Sequence, residues 1–553
     1  MNSLTINIEW YFMKVFKKCL MFLALLILLV GIGNVFADDS ADLNLTVEGS
    51  NDLMSSSESG EIEVNDWDDL QYYASLNDKN YVLKLKENTN YYPTDAKSTN
   101  SQIIFNNNVT IIGSEGAYIG DSSPNPRSIS YTAMKVPDDC GVGITLKGVD
   151  FKWISSEYQP DGTFMQIGGN SISYFEDCHF YDISTKLGRS TIVHIKLGDA
   201  VFEDCSFINC TTDFGCINVL NPKEPETGLS TLARMNITNC YFEGNYARTA
   251  PGCINNAGRL IVRNSTFCKN SAFWWAGAIC TRGGANTTLY DSQFFDNVAG
   301  WNGGALYTYS YLQIYNTTFI NNNCTTHNGG GAIGACKYQH APFIYIEDSW
   351  FENNENTCWG TSEVSSGTGR GGAISIMDEG GIEVRNTTFI KNSASLGTAI
   401  CAINGGNYGS PYVILVGNRF INHTRIGDVL DIRLSSESHI EIADNYYCNN
   451  SFEFKKLRLI AGEKIGDDLI INIDAELKNP NSFESDILDV TPYDIYVDGA
   501  YNKTVIGKTF NLTLKDGKTC NVYAAPVISN SITNEIFVGI PKEYVYDISV
   551  CKM

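Results

Sequence analysis

The chain has 553 residues, 43% of them apolar, and a formal net charge of −23. A single ordinary hydrophobic core does not extend over so many residues, so several domains or a repeat array are expected. The acidic balance excludes a general nucleic-acid-binding protein, because such a surface repels phosphate backbones.

The N-terminal residues predict export. Three lysines between positions 14 and 18 precede the apolar run Leu20–Ile32 and a small-residue site that ends at Ala37. This order is typical of a secretory signal peptide, so we expect residues 1–37 to be removed and the protein to be secreted or held at the cell surface. An uncleaved N-terminal anchor is the alternative. No later run is long enough to cross a bilayer, and we expect no integral membrane span after cleavage.

A leader and a cap follow. Residues 38–61 are rich in Ser and acidic residues and predict an acidic, flexible leader. The segment Asp66–Leu76 predicts a short amphipathic helix with Asp66 as its N-cap. The ends of a solenoid must be covered, so we expect this helix to cap the first coil.

Two motifs recur in phase through the middle of the chain. Phe-x-x-Asn occurs at Phe242 and Asn245, Phe267 and Asn270, Phe294 and Asn297, Phe319 and Asn322, Phe351 and Asn354, and Phe389 and Asn392. A glycine followed by a small residue and Ile or Leu occurs at Gly277, Gly304, Gly331 and Gly372. The undisturbed repeats are 25 to 27 residues long. The longer intervals, Phe207 to Phe242 and Phe351 to Phe389, predict inserted loops.

The repeat predicts a solenoid. Its short runs alternate apolar and polar residues, which is the period of a β-strand. A unit of this length predicts three short strands wound as one coil, and parallel crossovers favour the right hand. We expect the phenylalanines to stack inside, the asparagines to form hydrogen-bonded rows, and the glycines to make turns that a β-carbon would obstruct. The sequence therefore predicts an all-β fold whose main part, residues 62–454, is a right-handed parallel β-helix.

The last part of the chain differs. Both motifs end near Phe452, and residues 455–553 instead contain alternating segments separated by Asp-Gly turn signals. About 100 residues of this kind predict a small β-sandwich of immunoglobulin-like type. A further cap on the β-helix is the alternative.

Cysteines also recur at repeat positions. Cys178, Cys205 and Cys240 lie two residues before a phenylalanine, and Cys216 and Cys253 each follow a glycine. Equivalent residues of neighbouring coils lie about 5 Å apart, within the range that a disulfide spans. Two interpretations stay open: a disulfide-stapled solenoid, or a row of small buried thiols.

One aromatic cluster departs from the repeat. Trp274 and Trp301 each lie three residues before a motif glycine, so we expect them to stack on adjacent coils, with Phe273 and Trp275 beside them. Exposed aromatic side chains suit sugar rings or partner surfaces, so these four residues are the predicted binding site. Packing under a loop is the alternative.

The sequence contains no recognisable catalytic set. The Gly-His-Gly motif of polygalacturonase-like hydrolases is absent. A calcium-dependent lyase would need stacked aspartates, and Asp177 and Asp204 share a repeat position with Asp182 nearby. Such residues more often accept hydrogen bonds in turns. We therefore expect no catalytic residues and no cofactor, with Ca²⁺ as the one alternative.

The chain has thirteen Asn-x-Ser/Thr triplets, and they include Asn236, Asn316 and Asn386. Export makes glycosylation of exposed triplets an expectation. Several of them fall inside the repeat, where Asn and Thr also have structural roles.

The paired Phe-x-x-Asn and Gly-Gly-Ala-Ile motifs resemble the polymorphic outer-membrane-protein repeats of bacterial surface adhesins. With the Asp-Trp-Asp-Asp-Leu cap and the terminal Asp-Asn-Tyr-Tyr, residues 62–450 are most similar to adhesin-like proteins of methanogenic archaea. The resemblance implies an adhesin-like protein that binds glycans, cell-envelope components or host-cell surface molecules through the faces and loops of the β-helix. It carries no catalytic residues over.

Two other functions stay open. Parallel β-helices of the pectin-lyase-like type also serve as polysaccharide lyases and glycoside hydrolases, whose chemistry needs paired carboxylates or a basic residue in a groove. A structural component of the cell envelope would need no ligand.

Overall fold

The computed structural model describes residues 61–548 except 122, 124–126, 139, 157–162, 186–189, 220–232, 326–328, 339, 359–368, 396, 404–408, 410, 424–431, 435–438, 444, 449–453, 466–467, 478–491, 498–499, 514–519 and 527–545. The predicted signal peptide and almost all of the predicted leader lie outside the described residues. The middle of each long repeat interval, at 220–232 and 359–368, also lies outside them. In the part of the chain that is described, no helix is long and apolar enough to cross a membrane.

The region from Ile62 to Cys448 is a parallel β-helix, so the predicted fold class is confirmed. A complete coil passes in order through four parallel sheets, called sheets 1 to 4 here, and each strand pairs with its equivalents in the neighbouring coils. The sequence predicts three strands per coil. The fourth strand belongs to sheet 3 and is mostly two residues long, too short to show a hydrophobic period. The right-handed winding stays a prediction.

Sheets 1 and 2 form adjacent sides of the coil. The described strands of sheet 1 are Ile62–Val64, Tyr81–Leu85, Val109–Ile112, Ile144–Lys147, Ile172–Glu176, Asp199–Glu203, Arg234–Thr238, Arg259–Arg263, Asn286–Tyr290, Tyr311–Tyr315, Phe343–Glu347, Gly381–Arg385, Tyr412–Val416 and His439–Ala443. Those of sheet 2 are Asn90–Tyr91, Tyr118–Ile119, Asp150–Lys152, His179–Tyr181, Ser206–Ile208, Tyr241–Glu243, Thr266–Cys268, Gln293–Phe295, Thr318–Ile320, Trp350–Glu352, Thr388–Ile390, Arg419–Ile421 and Tyr446–Cys448.

Sheets 3 and 4 complete the coil. The described strands of sheet 3 are Ser128–Ile129, Ser155–Ser156, Ser184–Thr185, Thr211–Thr212, Tyr246–Ala247, Ser271–Trp275, Val298–Trp301, Asn323–Cys324 and Glu355–Asn356. Those of sheet 4 are Ile103–Ile104, Met134–Val136, Thr163–Ile167, Thr191–Ile195, Ile217–Val219, Ile254–Asn256, Ile279–Thr281, Leu306–Thr308, Ile333–Cys336, Ile374–Met377, Ile400–Ile403 and Ile432–Leu434.

Two corners of the coil are made by residues with positive φ. The corner between sheets 1 and 2 is an Asp or Asn in eight consecutive coils, from Asp177 to Asn386, with φ between 45° and 56°. The corner between sheets 2 and 3 lies two residues after the phenylalanine, as at Asp296 and Asn321. Asn and Asp enter the left-handed region more readily than other residues with a β-carbon, which explains part of the Asn content of the chain.

The phenylalanines of the motif form one continuous stack inside the solenoid, as predicted. The stack runs from Phe151 to Phe420, with ring centroids 4.3–5.0 Å apart and planes within 12° of parallel. The rings are fully buried. Stacking at the spacing of the strands gives every coil the same interior width.

The motif asparagines form a second interior row, beside the phenylalanines. The Asn297 carboxamide donates to the Phe267 carbonyl and to the Asn322 Oδ1, both at 2.9 Å. Its own Oδ1 accepts from the backbone N–H and the side chain of Asn270, at 3.0 and 3.1 Å. All hydrogen-bonding groups of this buried amide are therefore satisfied, and the same pattern continues through Asn354.

The motif glycines lie where successive coils approach each other closely. A β-carbon on Gly277, Gly304, Gly331 or Gly372 would lie only 2.0–2.3 Å from a carbonyl oxygen of the next coil. No side chain fits at this distance, so the requirement for glycine is steric and does not depend on φ at these four positions.

The predicted cap is present as the helix Trp67–Ser75. The Asp66 side chain accepts a hydrogen bond from the Asp69 backbone N–H at 2.9 Å, as expected of an N-cap. The Trp67 indole donates to the Ser101 carbonyl, 2.7 Å away at the end of a short 3₁₀ turn. The apolar face of the helix joins the same hydrophobic core as the coils.

Beyond the β-helix, the described strands form two antiparallel sheets. One contains Phe454–Ile465, Asp468–Leu477 and Thr509–Thr513, and the other contains Ala500–Ile506, Pro492–Val497, Cys520–Pro526 and Tyr546–Ile548. Buried residues from both sheets, such as Ile471 and Tyr493, belong to one hydrophobic cluster. That residues 455–553 form an immunoglobulin-like sandwich stays a prediction.

Asn297→Ala tests the carboxamide row. We expect the free energy of unfolding to fall by about 3 kcal/mol, because each buried polar group left without a partner costs about 1–3 kcal/mol. Chemical denaturation measures the change. Gln293→Ala, an exposed substitution on the same coil, should change stability by less than about 0.5 kcal/mol. Equal effects of the two substitutions would contradict a structural role for the row.

Gly304→Ala tests the close approach of coils. The added β-carbon would lie 2.0 Å from the Gly331 carbonyl oxygen, so we expect a loss of more than about 3 kcal/mol or failure to fold. Gly141 is the control, because a β-carbon added there would have no other atom within 4 Å. Thermal unfolding of Gly141→Ala should match the unsubstituted protein, and a stable Gly304→Ala protein would refute the steric argument.

Candidate ligand-binding surface

The predicted aromatic cluster lies on two unusually long strands of sheet 3, Ser271–Trp275 and Val298–Trp301. Ala272 pairs with Ala299, but the next paired residues are Trp275 and Trp301. The first strand therefore contains one extra residue, a β-bulge, which re-aims the side chains beside it. The opposing Gly300 makes this approach possible, since a β-carbon there would lie 1.9 Å from the Phe273 carbonyl oxygen.

Three of the four predicted residues form an aromatic cluster in which the Trp274 ring is nearly perpendicular to both of its neighbours. The Phe273 and Trp274 rings are 5.5 Å apart at 78°, and the Trp274 and Trp301 rings are 4.8 Å apart at 80°. Phe273 is 60% exposed and Trp274 is 38% exposed, whereas Trp301 is half-buried. The sequence predicts stacked indoles. The structure has an edge-to-face contact because the bulge pairs Trp301 with Trp275 and displaces Trp274.

Trp275 points into a covered cluster instead. Its ring lies 6.1 Å from the Tyr307 ring, and the Arg282 guanidinium lies 5.8 Å from the Trp275 ring and 5.3 Å from the Phe214 ring. The Arg282 Nε donates to the Tyr309 hydroxyl at 2.9 Å. This packing supports the bulge from beneath, so Trp275 has a supporting position beside the exposed rings.

The exposed surface extends to a residue that sequence analysis misses. Tyr246 is 38% exposed and pairs in sheet 3 with Ser271, the first residue of the bulged strand. Tyr246 lies four residues after Phe242, and in this coil that position faces outward on sheet 3. Tyr246, Phe273, Trp274 and Trp301 are called the aromatic face below.

A second aromatic row lies on the outer side of sheet 1. The Tyr290 and Tyr315 rings stack at 5.1 Å and 11°, and Tyr345 continues the row at 5.6 Å. The Arg263 guanidinium covers Tyr290 at 4.8 Å, and the Tyr345 hydroxyl donates to Glu347 at 2.9 Å. These rings cover each other, so the row presents edges and hydroxyls, unlike the aromatic face. The sequence signal for Tyr290 and Tyr315 is a Tyr directly before the corner residue, whereas Tyr345 lies three residues before its corner residue.

The cysteines that lie two residues before a motif phenylalanine are buried, and none of them forms a disulfide in the structure. The Sγ atoms of Cys178, Cys205 and Cys240 lie 3.4, 3.2 and 3.3 Å from the carbonyl oxygen two residues earlier. Later coils have Ser or Thr here: the Ser265 hydroxyl makes the same bond at 2.8 Å and accepts from the Cys240 N–H at 3.0 Å. The cysteines thus continue a row of hydroxyl side chains.

The second cysteine position, after the glycine, is also buried. Cys216 and Cys253 lie on adjacent coils and are free, and Cys210 lies near them. Burial raises the pKa of the Cys178, Cys240, Cys216 and Cys253 thiols well above the ordinary value, so in the thiol interpretation these groups are protonated and unreactive in the folded protein. The disulfide interpretation and the thiol interpretation both stay predictions.

The aspartates considered for calcium are corner residues. Asp177, Asp182 and Asp204 have φ between 51° and 54°, the conformation of the turn, and Asp177 lies 3.3 Å from His179. Burial, with the nearby Asp204 and Glu176 charges, raises the pKa of Glu203. Within the described residues, no group of three or more His, Cys, Asp or Glu side chains is arranged to hold a metal ion.

Comparisons with known proteins give structural likeness alone. No protein-family model matches the chain, and no curated protein matches it. One similar solved structure is a mannuronic-acid-specific polysaccharide family 6 lyase from the human gut microbiota, with 9% identity over 69% of this chain and 82% of that chain and a TM-score of 0.28. Another is a PL6 alginate lyase in complex with a trisaccharide, with 12% identity over 78% and 94% of the two chains and a TM-score of 0.32. Likeness at this level assigns no activity to this protein.

Alkylation distinguishes the two cysteine interpretations. If Cys178, Cys205 and Cys240 are thiols, we expect each to resist alkylation in the folded protein at mildly alkaline pH, because burial excludes the reagent from all three and raises the pKa of Cys178 and Cys240. Each should become fully alkylated after unfolding without reductant. Peptide mass spectrometry measures this, with the half-buried Cys268 as a control that reacts first. Cysteines that react only after reduction would establish the disulfide interpretation.

Proposed function

We propose that this chain is a secreted or cell-surface, adhesin-like protein that binds glycans of cell envelopes or host cells through the aromatic face. The observation that carries the proposal is the edge-to-face contact of Trp274 with both Phe273 and Trp301, which makes one contiguous aromatic group with two exposed rings. Isolated exposed apolar residues are ordinary, whereas a contiguous group indicates an interaction site.

The backbone supports this interpretation. The bulge that exposes Phe273 and Trp274 interrupts a regular ladder, and it depends on a glycine at position 300 in the next coil. A bulge beside a site commonly re-aims side chains toward a ligand. The Arg282 contact fixes Trp275 at the end of the bulged strand, and the ring contacts of Trp274 with Phe273 and Trp301 order the exposed rings before any ligand arrives, which lowers the entropic cost of binding.

The chemistry of the face suits pyranose rings. Aromatic rings present broad, weakly polar surfaces against which the C–H side of a sugar packs, and polar groups at the rim give orientation. The Thr249 hydroxyl donates to Asp213 at 2.9 Å, and the Thr249 carbonyl accepts from the Trp274 backbone N–H at 3.0 Å, so polar groups lie beside the backbone of Trp274. The net charge of −23 disfavours polyanionic chains. Neutral glycans are therefore the proposed class.

A glycan array with the exported protein tests the proposal. We expect binding to neutral glycans, and we expect Phe273→Ala/Trp274→Ala to weaken the affinity about tenfold or more, since tenfold corresponds to about 1.4 kcal/mol. Because both rings are partly exposed, the melting temperature should change little. Tyr311→Ala is the matched control, an aromatic residue 49% exposed on sheet 1, and it should leave the affinity unchanged.

Other outcomes would favour the alternatives. Release of unsaturated oligosaccharides or of new reducing ends from a polysaccharide would establish a lyase or a hydrolase in place of an adhesin. A protein that fractionates with the cell and binds no glycan would be a structural envelope component. Equal affinities of the double variant and the unsubstituted protein would place binding away from the aromatic face.

A further inference from the structure

The outer corner between sheets 1 and 2 contains a groove of about 420 Å³ that the proposed function does not use. Its lining is polar except for a single indole. The residues that matter here are Asn316, Thr318, Asp348, Trp350, Asn386 and Thr388. The groove thus combines amide, carboxylate and hydroxyl groups with one aromatic side chain, as small-molecule sites commonly do.

The two asparagines of the groove begin Asn-x-Thr triplets. In the first triplet, Asn316 is the exposed corner residue, Thr317 points inward, and Thr318 is the outward residue of the next strand. The second triplet, Asn386 to Thr388, has the same arrangement. Because the middle residue faces the core, the Asn and the final Thr of each triplet lie on the same outer surface.

These asparagines alternate with aspartates along the corner. The sequence of corner residues in consecutive coils is Asn264, Asp291, Asn316, Asp348 and Asn386. Coils are about 4.8 Å apart, so two successive asparagines lie about 10 Å apart along the axis. A sugar on each asparagine would therefore have the space of one intervening coil before it met the next sugar. The corner residue of that intervening coil is an aspartate, whose carboxylate cannot carry an amide-linked group.

The single indole of the groove lies between the two triplets. Trp350 pairs in sheet 2 with Thr318 on one side and with Thr388 on the other. It is 39% exposed, and its Nε1 donates to Glu352 at 3.1 Å, which fixes the ring. A sugar attached to either asparagine would therefore begin beside an indole held in position.

The asparagine side chain retains its structural bond after substitution. The Asn316 Nδ2 donates one hydrogen to the Asp291 Oδ1 at 2.7 Å. A carboxamide has two N–H donors, so replacing the other by a sugar leaves this bond in place. The corner conformation, with φ at 45°, does not depend on the second donor.

We propose that Asn316 and Asn386 carry N-linked glycans whose first sugar, a neutral hexose or N-acetylhexosamine, packs in this groove against Trp350. The proposal rests on the predicted export and is independent of the aromatic face. Asp348 lines the groove and Glu352 accepts a hydrogen bond from the Trp350 indole, and both carboxylates disfavour an acidic first sugar.

The reaction is a group transfer from a polyprenyl-phosphate-linked sugar donor. A bond forms between the asparagine Nδ2 and C1 of the sugar, while the bond between C1 and the phosphate oxygen breaks. The amide loses one proton, and the carrier leaves as its phosphate anion. No oxidant or reductant takes part.

Glycopeptide mass spectrometry on the full protein, purified from the cells that produce it, tests the modification. We expect the peptides that contain Asn316 and Asn386 to carry a neutral hexose or N-acetylhexosamine at the asparagine. Asn236, which begins a triplet but is only 7% exposed, should be unmodified. Unmodified Asn316 and Asn386, or an acidic first sugar, would overturn the proposal.

Thermal unfolding tests the packing on Trp350 separately. Enzymatic removal of the glycans should lower the melting temperature of the unsubstituted protein and of Tyr311→Ala by the same amount. In Trp350→Ala the glycans should still be present, and their removal should shift the melting temperature by less than half as much. An equal shift in Trp350→Ala would refute the packing. If the protein bound no glycan in the array while the mass-spectrometry and unfolding results were as expected, only the proposal for the aromatic face would be refuted.

Discussion

The carboxamide row inside the solenoid sets the register of every coil it joins. Each of its asparagines donates to the coil before it and to the coil after it, and accepts from the coil before it, so it links three consecutive coils. A buried amide cannot leave these groups unpaired without a large cost, and a slip of one residue would break all of them together. The phenylalanine stack and the positive-φ corners then take fixed positions relative to this row.

A fixed interior leaves the exterior free to vary. The bulge at Phe273 and Trp274 shifts the pairing by one residue, yet Ile279 again pairs with Leu306 in the normal register. The disturbance is therefore confined to the outer side of a single sheet. The long repeat intervals follow the same rule, since the motif pairs Phe207 with Phe242 and Phe351 with Phe389 across them.

The sequence predicts the interior well because interior positions repeat with the coil. Phe294, Asn297 and Gly304 all have the predicted positions, and the reasons are stacking, amide pairing and close approach. The orientation of Trp275 could not be predicted, since it depends on a bulge whose register is set by the neighbouring coil. The two-residue strands of sheet 3 have no period to detect. The outward tyrosines, such as Tyr315, repeat but carry no packing signal.

The buried residues that lie two positions before each phenylalanine form a row whose residue type changes along the axis. It is cysteine first, then serine or threonine, and asparagine at position 418. From Cys240 to Asn418, each backbone N–H in this row donates to the side chain of the next coil, as from Thr387 to Asn418 at 3.0 Å. Neighbouring coils are therefore matched pairs. Exchanging two coils would change the side chain that each neighbouring N–H meets, so the order of the coils along the axis affects the hydrogen bonding of this row.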